Sequence, residues 1–237
     1  MRFLRDNFRK LKYKLKFFKI SKDANINYIA SAKSNPDLTE LMNKYGSDKG
    51  GNNDHHNYAD YYSLLFNKKR FHIKKLLEVG LGTDDKNMAS NMSSLNGKPL
   101  ASVRAWRDYF PNAQIYGADI DKNILKDEER IKTFYVDQTD PRTIDDLFKN
   151  IGATDFDIIL EDGLHEFNAN ICFFENSIEY LSPTGTYIIE DVYYKDQQKF
   201  IKYFNKTNYN FSIVDLHHKK NIANNCLIIV NKNAQNI

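Results

Sequence analysis

From Lys74 onward, short apolar runs alternate with amphipathic segments, and that alternation restricts the chain to very few folds. Five runs that close on Gly or an acid (KLLEVGLG, AQIYGADID, IKTFYVDQ, FDIILEDG and GTYIIEDV) read as strands. Between them, SVRAWRDYF, TIDDLFKNI, ANICFFENSIEYL and DQQKFIKYF read as helices; in the first, Val103, Trp106 and Phe110 recur at helical spacing. Strands separated by helices need crossover connections, so the expected class is α/β, a doubly wound, mostly parallel sheet covered on both faces. The last two runs, FSIVDLHH and NCLIIVNK, are joined by a short polar loop and should form an antiparallel pair.

Upstream, charge is concentrated at one end. Met1 to Ile20 holds eight Lys/Arg and one acid, a net +7, which leaves −4 on the rest of a chain whose total is +3. A mildly acidic body argues against a nucleic-acid partner. Leu4, Phe8, Leu11, Leu15 and Phe18 make one apolar stripe among those lysines, an amphipathic helix suited to packing on the body, on another subunit, or peripherally on an anionic membrane surface. Residues 1–35 are thus expected as a basic amphipathic segment ahead of a domain over 36–237, where PDLTELMNKYG is a short helix ending at Gly46. No apolar run approaches the roughly 20 residues of a bilayer span, and no signal peptide is visible. Cys172 and Cys226 match no metal or redox spacing, so both are expected as buried reduced thiols in a cytoplasmic protein. The Ser/Asn-rich stretch from Thr83 to Ala101 is long for a strand–helix loop and is a candidate lid.

Ligands of open parallel sheets bind beyond the C-terminal strand ends, where strand order reverses. LEVGLGT puts Gly80 and Gly82 in the first such turn. Three details favour S-adenosylmethionine over a dinucleotide. Asp85 stands where the third fingerprint glycine would be, Glu78 precedes the glycines, and the second strand ends in Asp119, with Asp121 two residues on, where a carboxylate can accept both ribose hydroxyls. Asp137 could reach the adenine side, and Ser102 and Gln138 complete the expected cofactor set. Solvated loop residues or helix caps are the plainer reading of each acid taken singly.

Two further motifs carry chemistry. ILEDGLH ends the fourth strand with Asp162 and puts His165 three residues on, and YIIEDVY ends the fifth with Glu190 and Asp191. If those strands are neighbours, their ends lie about 4.8 Å apart and the three acids converge. Carboxylates that close repel unless they share a cation or a proton, and hard oxygen ligands suit Mg²⁺, with Mn²⁺ or Ca²⁺ as substitutes. The competing reading is that Glu190 and Asp191 cap the next helix. His165, beside the metal, is placed to act as general base. An aliphatic hydroxyl, with a pKa about that of water at 15.7, needs such help to attack a sulfonium methyl, whereas an amine would not need the metal.

With these residues placed, the chain resembles the metal-dependent sugar O-methyltransferases and is similar to the cephalosporin hydroxylase-like group sharing their fold. The likeness runs from about Leu41 to about Val192 through KYGSDKGG, HHNYADYYSLLF, LLEVGLG, SVRAWRDYFPNAQIYGADID, RIKTFYVDQTD, EDGLH and YIIEDV. It implies a Rossmann-like methyltransferase fold, Mg²⁺ on Asp162, Glu190 and Asp191, His165 as base, and S-adenosylmethionine at the glycine turn with Asp119. It also implies that KYGSDKGG…HHNY is an N-terminal active-site cover, with Lys49, His56 and Tyr58 lining the substrate pocket. Leu164 departs from the family's usual serine, and the long auxiliary domain of the macrolide enzymes is missing. The expected activity is methylation of a hydroxyl on a small carbohydrate, a sugar nucleotide or surface-polysaccharide unit, by a homo-oligomer in the cytoplasm or at the inner membrane face.

Alternatives from other classes are a methyltransferase for another small molecule, acting at nitrogen, and a non-catalytic membrane-associated partner subunit. A hydroxylase would need an iron site, and only one histidine accompanies the acids. A nicotinamide oxidoreductase is disfavoured by the incomplete glycine fingerprint. The pairs His55–His56 and His217–His218 read as solvated loop residues.

Overall fold

A computed structural model describes residues 26–29, 36–51, 56–89, 91–92, 98–216, 218, 221 and 223–232. The predicted alternation is present in the predicted order. The strands are β1 (Ile26–Ile29), β2 (Lys75–Val79), β3 (Gln114–Asp119), β4 (Ile131–Tyr135), β5 (Phe156–Glu161), β6 (Leu181–Ile189), β7 (Asn210–Leu216) and β8 (Cys226–Asn231). The helices are α1 (Pro36–Tyr45), α2 (Tyr58–Phe66), α3 (Ala101–Tyr109), α4 (Pro141–Ile151), α5 (Phe167–Ser177) and α6 (Gln197–Phe204).

They build one sheet in the order β1-β7-β8-β6-β5-β2-β3-β4. β2 pairs parallel with both β3 and β5, and β5 with β6, while β8 runs antiparallel to β6 and β7. The expected antiparallel pair is therefore present, with β8 inserted between β6 and β7. β1 is an edge strand parallel to β7, inside the segment placed ahead of the domain, where no strand was expected. The basic stripe of Met1 to Ile20 lies outside the described residues.

Strand periodicity divides the core. Leu76, Ile158, Ile188 and Ile229 point to one face and pack with Tyr62, Phe66, Val103 and Trp106. Their neighbours Leu77, Ile159, Ile189 and Ile228 point to the other and pack with Ile144, Phe148, Phe174 and Phe204. Helices therefore cover both faces, α1–α3 on one and α4–α6 on the other. α4 shows why the sequence folds as it does: Asp140 caps its first turn by accepting the Arg142 amide at 3.0 Å, Pro141 opens it, and Gly152 closes it at φ 63°. Among the described residues, no helix is long and apolar enough to cross a membrane. Both cysteines are free thiols, Cys226 buried and Cys172 only half-buried.

Candidate active site

Strand order reverses at β2, and the parallel ladder runs past the strand ends. The Gly80 amide donates to Ala118 O at 2.9 Å, Asp162 N to Val79 O at 2.8 Å, and Glu190 N to Glu161 O at 2.9 Å. This register sets the glycine turn, Asp119, Asp162 and Glu190 side by side at one sheet edge. Gly80 has φ 91°, and a Cβ there would lie 2.0 Å from the Asp162 carbonyl oxygen. The missing side chain thus lets β2 approach β5, a more local demand than room for a cofactor. At Gly163 a Cβ would fall 1.7 Å from Gln138 Oε1, a side-chain atom that would have to swing away from the EDGLH loop.

Over this edge opens a cavity of about 880 Å³, within the range of small-molecule sites. On its glycine side lie Gly80, Gly82, Ser102, Asp119, Ile120, Asp137 and Gln138. The Asp119 carboxylate accepts the amides of Leu81 at 2.6 Å and Asp121 at 2.8 Å, which fixes its orientation. Asp121 is a cap: it accepts the Thr83 hydroxyl at 2.5 Å and the Asn123 amide at 2.9 Å. Ile120 is an exposed apolar side chain at the rim. Gln138 reaches the wall, but its amide is committed to the EDGLH loop, donating to Glu161 at 2.8 Å and accepting the Leu164 amide at 2.7 Å. Of the candidate lid, residue 90 and residues 93–97 lie outside the described residues; Met88 and Met92 line the cavity.

The acidic side holds a cluster of titratable groups. Asp162, His165 and Asp191 each offer a ligand atom, all within 4.8 Å of one another. His165 Nε2 lies 3.1 Å from Asp162 Oδ1, and Nδ1 lies 3.6 Å from Asp191 Oδ2. Burial opposes the imidazolium, but Asp191 and Asp162 outweigh it and raise the pKa to about 10. Burial likewise works against charge on Asp162, yet Lys49 and His165 hold its carboxyl below the usual range. His165 (φ 60°) and Asp191 (φ 55°) both occupy the left-handed region, which non-glycine residues enter at a cost.

Lys49 comes from the 3₁₀ turn Asp48–Gly50, behind the cap that Ser47 gives it. Its ammonium is buried against Asp162 Oδ2, lies 2.7 Å from Glu190 Oε2, and lies 3.6 Å from Glu78 Oε1. Burial disfavours this cation, and Asp162, Glu190 and Glu78 override it, so its pKa is well above the usual lysine value. The remaining oxygen of Glu190 accepts the Tyr62 hydroxyl. Tyr58 donates to Asp191 Oδ1 at 2.7 Å, and Asn224 donates to Oδ2 at 3.2 Å. Burial, then Asp191 beside Tyr58 and Glu190 beside Tyr62, push both phenols well up, so both stay donors.

The expected residues therefore meet, at different depths. Asp162 and Asp191 face the cavity, but Glu190 sits behind them, 1% exposed, occupied by Lys49 and Tyr62. Glu78 is fully buried beneath the glycine turn, and Tyr58 is fully buried behind Asp191. Lys49 and His56 do line the cavity. His56 is no solvated loop residue: it stacks on Tyr58 at 4.6 Å, with Nε2 3.4 Å from Asp191 and Nδ1 3.2 Å from Asn225 Oδ1. His218 accepts the Asn221 amide at 2.9 Å, whereas His55 and His217 lie outside the described residues. Sequence reasoning missed Tyr62 and the pair Asn221 and Asn224 on the cavity wall. The spacing of Tyr58 and Tyr62, one helical turn, could have marked both as facing the strand ends.

No family model matches the chain. It is 33% identical over 159 residues to the mycinamicin VI 2″-O-methyltransferase of Micromonospora griseorubida, across 67% of this chain and 36% of that protein. It is 31% identical over 163 residues to the 8-demethyl-8-alpha-L-rhamnosyl tetracenomycin-C 2′-O-methyltransferase of Streptomyces olivaceus, across 69% of this chain and 39% of the relative. Among solved structures, the MycE methyltransferase of the mycinamycin pathway, in complex with Mg, SAH and mycinamycin VI, superposes with a TM-score of 0.56 at 29% identity. That match covers 72% of this chain and 40% of MycE. The fold is thus the Rossmann-like methyltransferase fold, and the chain spans less than half the length of these relatives.

Proposed function

The chain is a homologue of the sugar O-methyltransferases, and we infer that it methylates a carbohydrate hydroxyl using S-adenosylmethionine and a divalent cation, Mg²⁺ by preference. The observation that carries this reading is the meeting of Asp162, His165 and Asp191 at the wall of the same cavity that the glycine turn and Asp119 line. The glycine side would take the cofactor. Asp119, held by two amides, keeps lone pairs for ribose hydroxyls, and Ile120 offers an apolar face for the base. Ser102 and Asp137 stand beside it.

The donor set fits a hard cation: carboxylate oxygens of Asp162 and Asp191 with Glu190 immediately behind, and His165 beside them with its ring left for proton transfer. A cation held by these carboxylates would lower the pKa of an acceptor hydroxyl by many units. His165 takes the hydroxyl proton at a ring nitrogen as the methyl passes from sulfonium to oxygen. Beside carboxylates alone this imidazole holds its proton to about pH 10. A divalent charge held by Asp162 and Asp191 would offset the attraction that keeps the proton on His165, which suits the ring to act as a base.

The polar wall of His56, Asn221 and Asn224 near Asp191 suits a hydroxyl-rich acceptor, and a sugar nucleotide or surface-polysaccharide unit is the class we propose. Two free cysteines support a reducing, cytoplasmic setting. Calorimetric titration of S-adenosylhomocysteine, with Mg²⁺ and with EDTA, followed by Asp162→Ala, tests the scheme. Micromolar nucleoside binding in both conditions, with Mg²⁺ binding lost in the variant, is the expected result. Absence of nucleoside binding would remove the methyltransferase reading, and retained activity on a sugar acceptor in chelator would remove the cation from it.

A further inference from the structure

Three carboxylates on three adjacent strands converge on one ammonium. Lys49 has three N–H donors, and Asp162 at the end of β5, Glu190 at the end of β6 and Glu78 within β2 stand around it. The lysine side chain is 3% exposed, so this is a buried charge cluster rather than a solvated pair. With Lys49 seated, both oxygens of Glu190 are committed, Oε2 to the ammonium and Oε1 to Tyr62. Asp162 then has only Oδ1 turned toward His165, because Oδ2 is on Lys49. The oxygens left for an ion are those of Asp162 and Asp191, with a ring nitrogen of His165 within 4.8 Å of them.

We propose that Lys49 is a built-in counter-cation that competes with the divalent ion for Asp162 and Glu190. The inference rests on the divalent-ion reading given above. The ammonium and an ion held by Asp162 and Asp191 share one carboxylate, and like charges at that separation repel strongly where water is scarce. Seated, Lys49 fastens the turn Asp48–Gly50 over the strand ends. It also keeps the acids from repelling one another until an ion arrives. Displaced, it hands Glu190 to the ion and loosens that turn. Lys49 therefore sets both the affinity of the site and the cost of opening its cover.

The test is Mn²⁺ titration, followed by electron paramagnetic resonance, on the full chain and its Lys49→Met and Lys49→Arg forms. Lys49→Met should bind Mn²⁺ at least about tenfold tighter, because the competing charge is gone, and Lys49→Arg should stay within about threefold of the parent. Lys49→Met should also melt at lower temperature in EDTA and recover on saturation with Mn²⁺. Equal or weaker Mn²⁺ binding by Lys49→Met overturns the proposal while leaving the divalent-ion reading intact. If neither protein binds Mn²⁺, that reading fails and the proposal with it; binding by the variant alone supports both. Should Lys49→Met not fold, hydrogen exchange of the parent decides. Faster exchange at residues 46–51 on adding Mn²⁺ supports displacement, and unchanged exchange overturns it.

Discussion

Replacing Gly80 with alanine asks whether the glycine turn serves the cofactor or the approach of two strands. The added Cβ would meet Asp162 O at 2.0 Å, the Asp162 carbonyl carbon at 2.5 Å and Gly163 Cα at 3.0 Å, all backbone atoms that cannot rotate away. Real contacts of this kind stay beyond 3.0 Å, so the ends of β2 and β5 must part by roughly an ångström. Alanine at φ 91° adds a backbone cost of roughly 1–2 kcal/mol, and forced overpacking costs about 1–3 kcal/mol more. The sum, about 2–5 kcal/mol, corresponds to a fall in Tm of roughly 4–20 °C for a chain of this size. Calorimetry in EDTA measures it, and Mn²⁺ titration of the same sample should show at least about a tenfold loss of affinity, since the displaced peptide carries Asp162. A variant that melts within about 2 °C of the parent and loses only nucleoside binding would refute the argument. The glycine would then serve the cofactor alone.

Tyr62→Phe removes the donor on Glu190 Oε1 without changing the packing of the ring, and should cost about 1–3 kcal/mol in urea unfolding with an unchanged m value; an unshifted midpoint would mean that the hydroxyl contributes nothing. Glu78 is pushed up to about pKa 7, first by burial, with Lys49 opposing. The folded state thus binds the proton more tightly than the unfolded one, and the contribution is full below the ordinary carboxylate range and lost as pH rises through about 7. Glu78→Gln should flatten the decline in Tm between about pH 4.5 and 7, and a decline that persists in the variant would assign it to another group. His165, raised to about 10, contributes stability that is full below its unfolded pKa of about 6.5 and fades as pH rises toward 10. In EDTA, the Tm gap between the parent and His165→Gln should therefore close over that interval, and a constant gap would contradict the ion pairs with Asp162 and Asp191.

Much of this arrangement was legible from local patterns. Strand ends announced themselves because each apolar run stops at Gly or an acid, and parallel register then guarantees that Asp119, Asp162 and Glu190 share an edge. What stayed hidden depended on contacts far apart in sequence. Lys49 reaches Asp162 across 113 residues and Glu190 across 141, and Tyr62 reaches Glu190 across 128. In a window of neighbours, Lys49 is one more charge in a polar loop and Tyr62 one more aromatic on a buried helix face. β1 escaped for another reason: four residues are too few for alternation to stand out.

The same contacts support the cation position proposed above. Each acid of the strand-end cluster is compensated differently, and the differences are built into the fold. Glu161 is served by neutral amides, Gln138 Nε2 at 2.8 Å and the Asn170 side chain. Glu190 has an ammonium and a phenol. Asp191 Oδ1 takes the Tyr58 hydroxyl. Asp162 Oδ1 faces only the His165 imidazole, and Asp191 Oδ2 faces that ring and the Asn224 amide. Those two oxygens share the His165 ring, and Asp191 Oδ1 has the His56 ring 3.4 Å away as well, so the pair of carboxylates is faced by groups that can give up a proton. An imidazole that gives up its proton must be replaced by another positive charge if the two carboxylates are to stay together. Two of the five non-glycine residues with positive φ among the described residues, His165 and Asp191, fall at this place, where the fold holds them against a backbone cost.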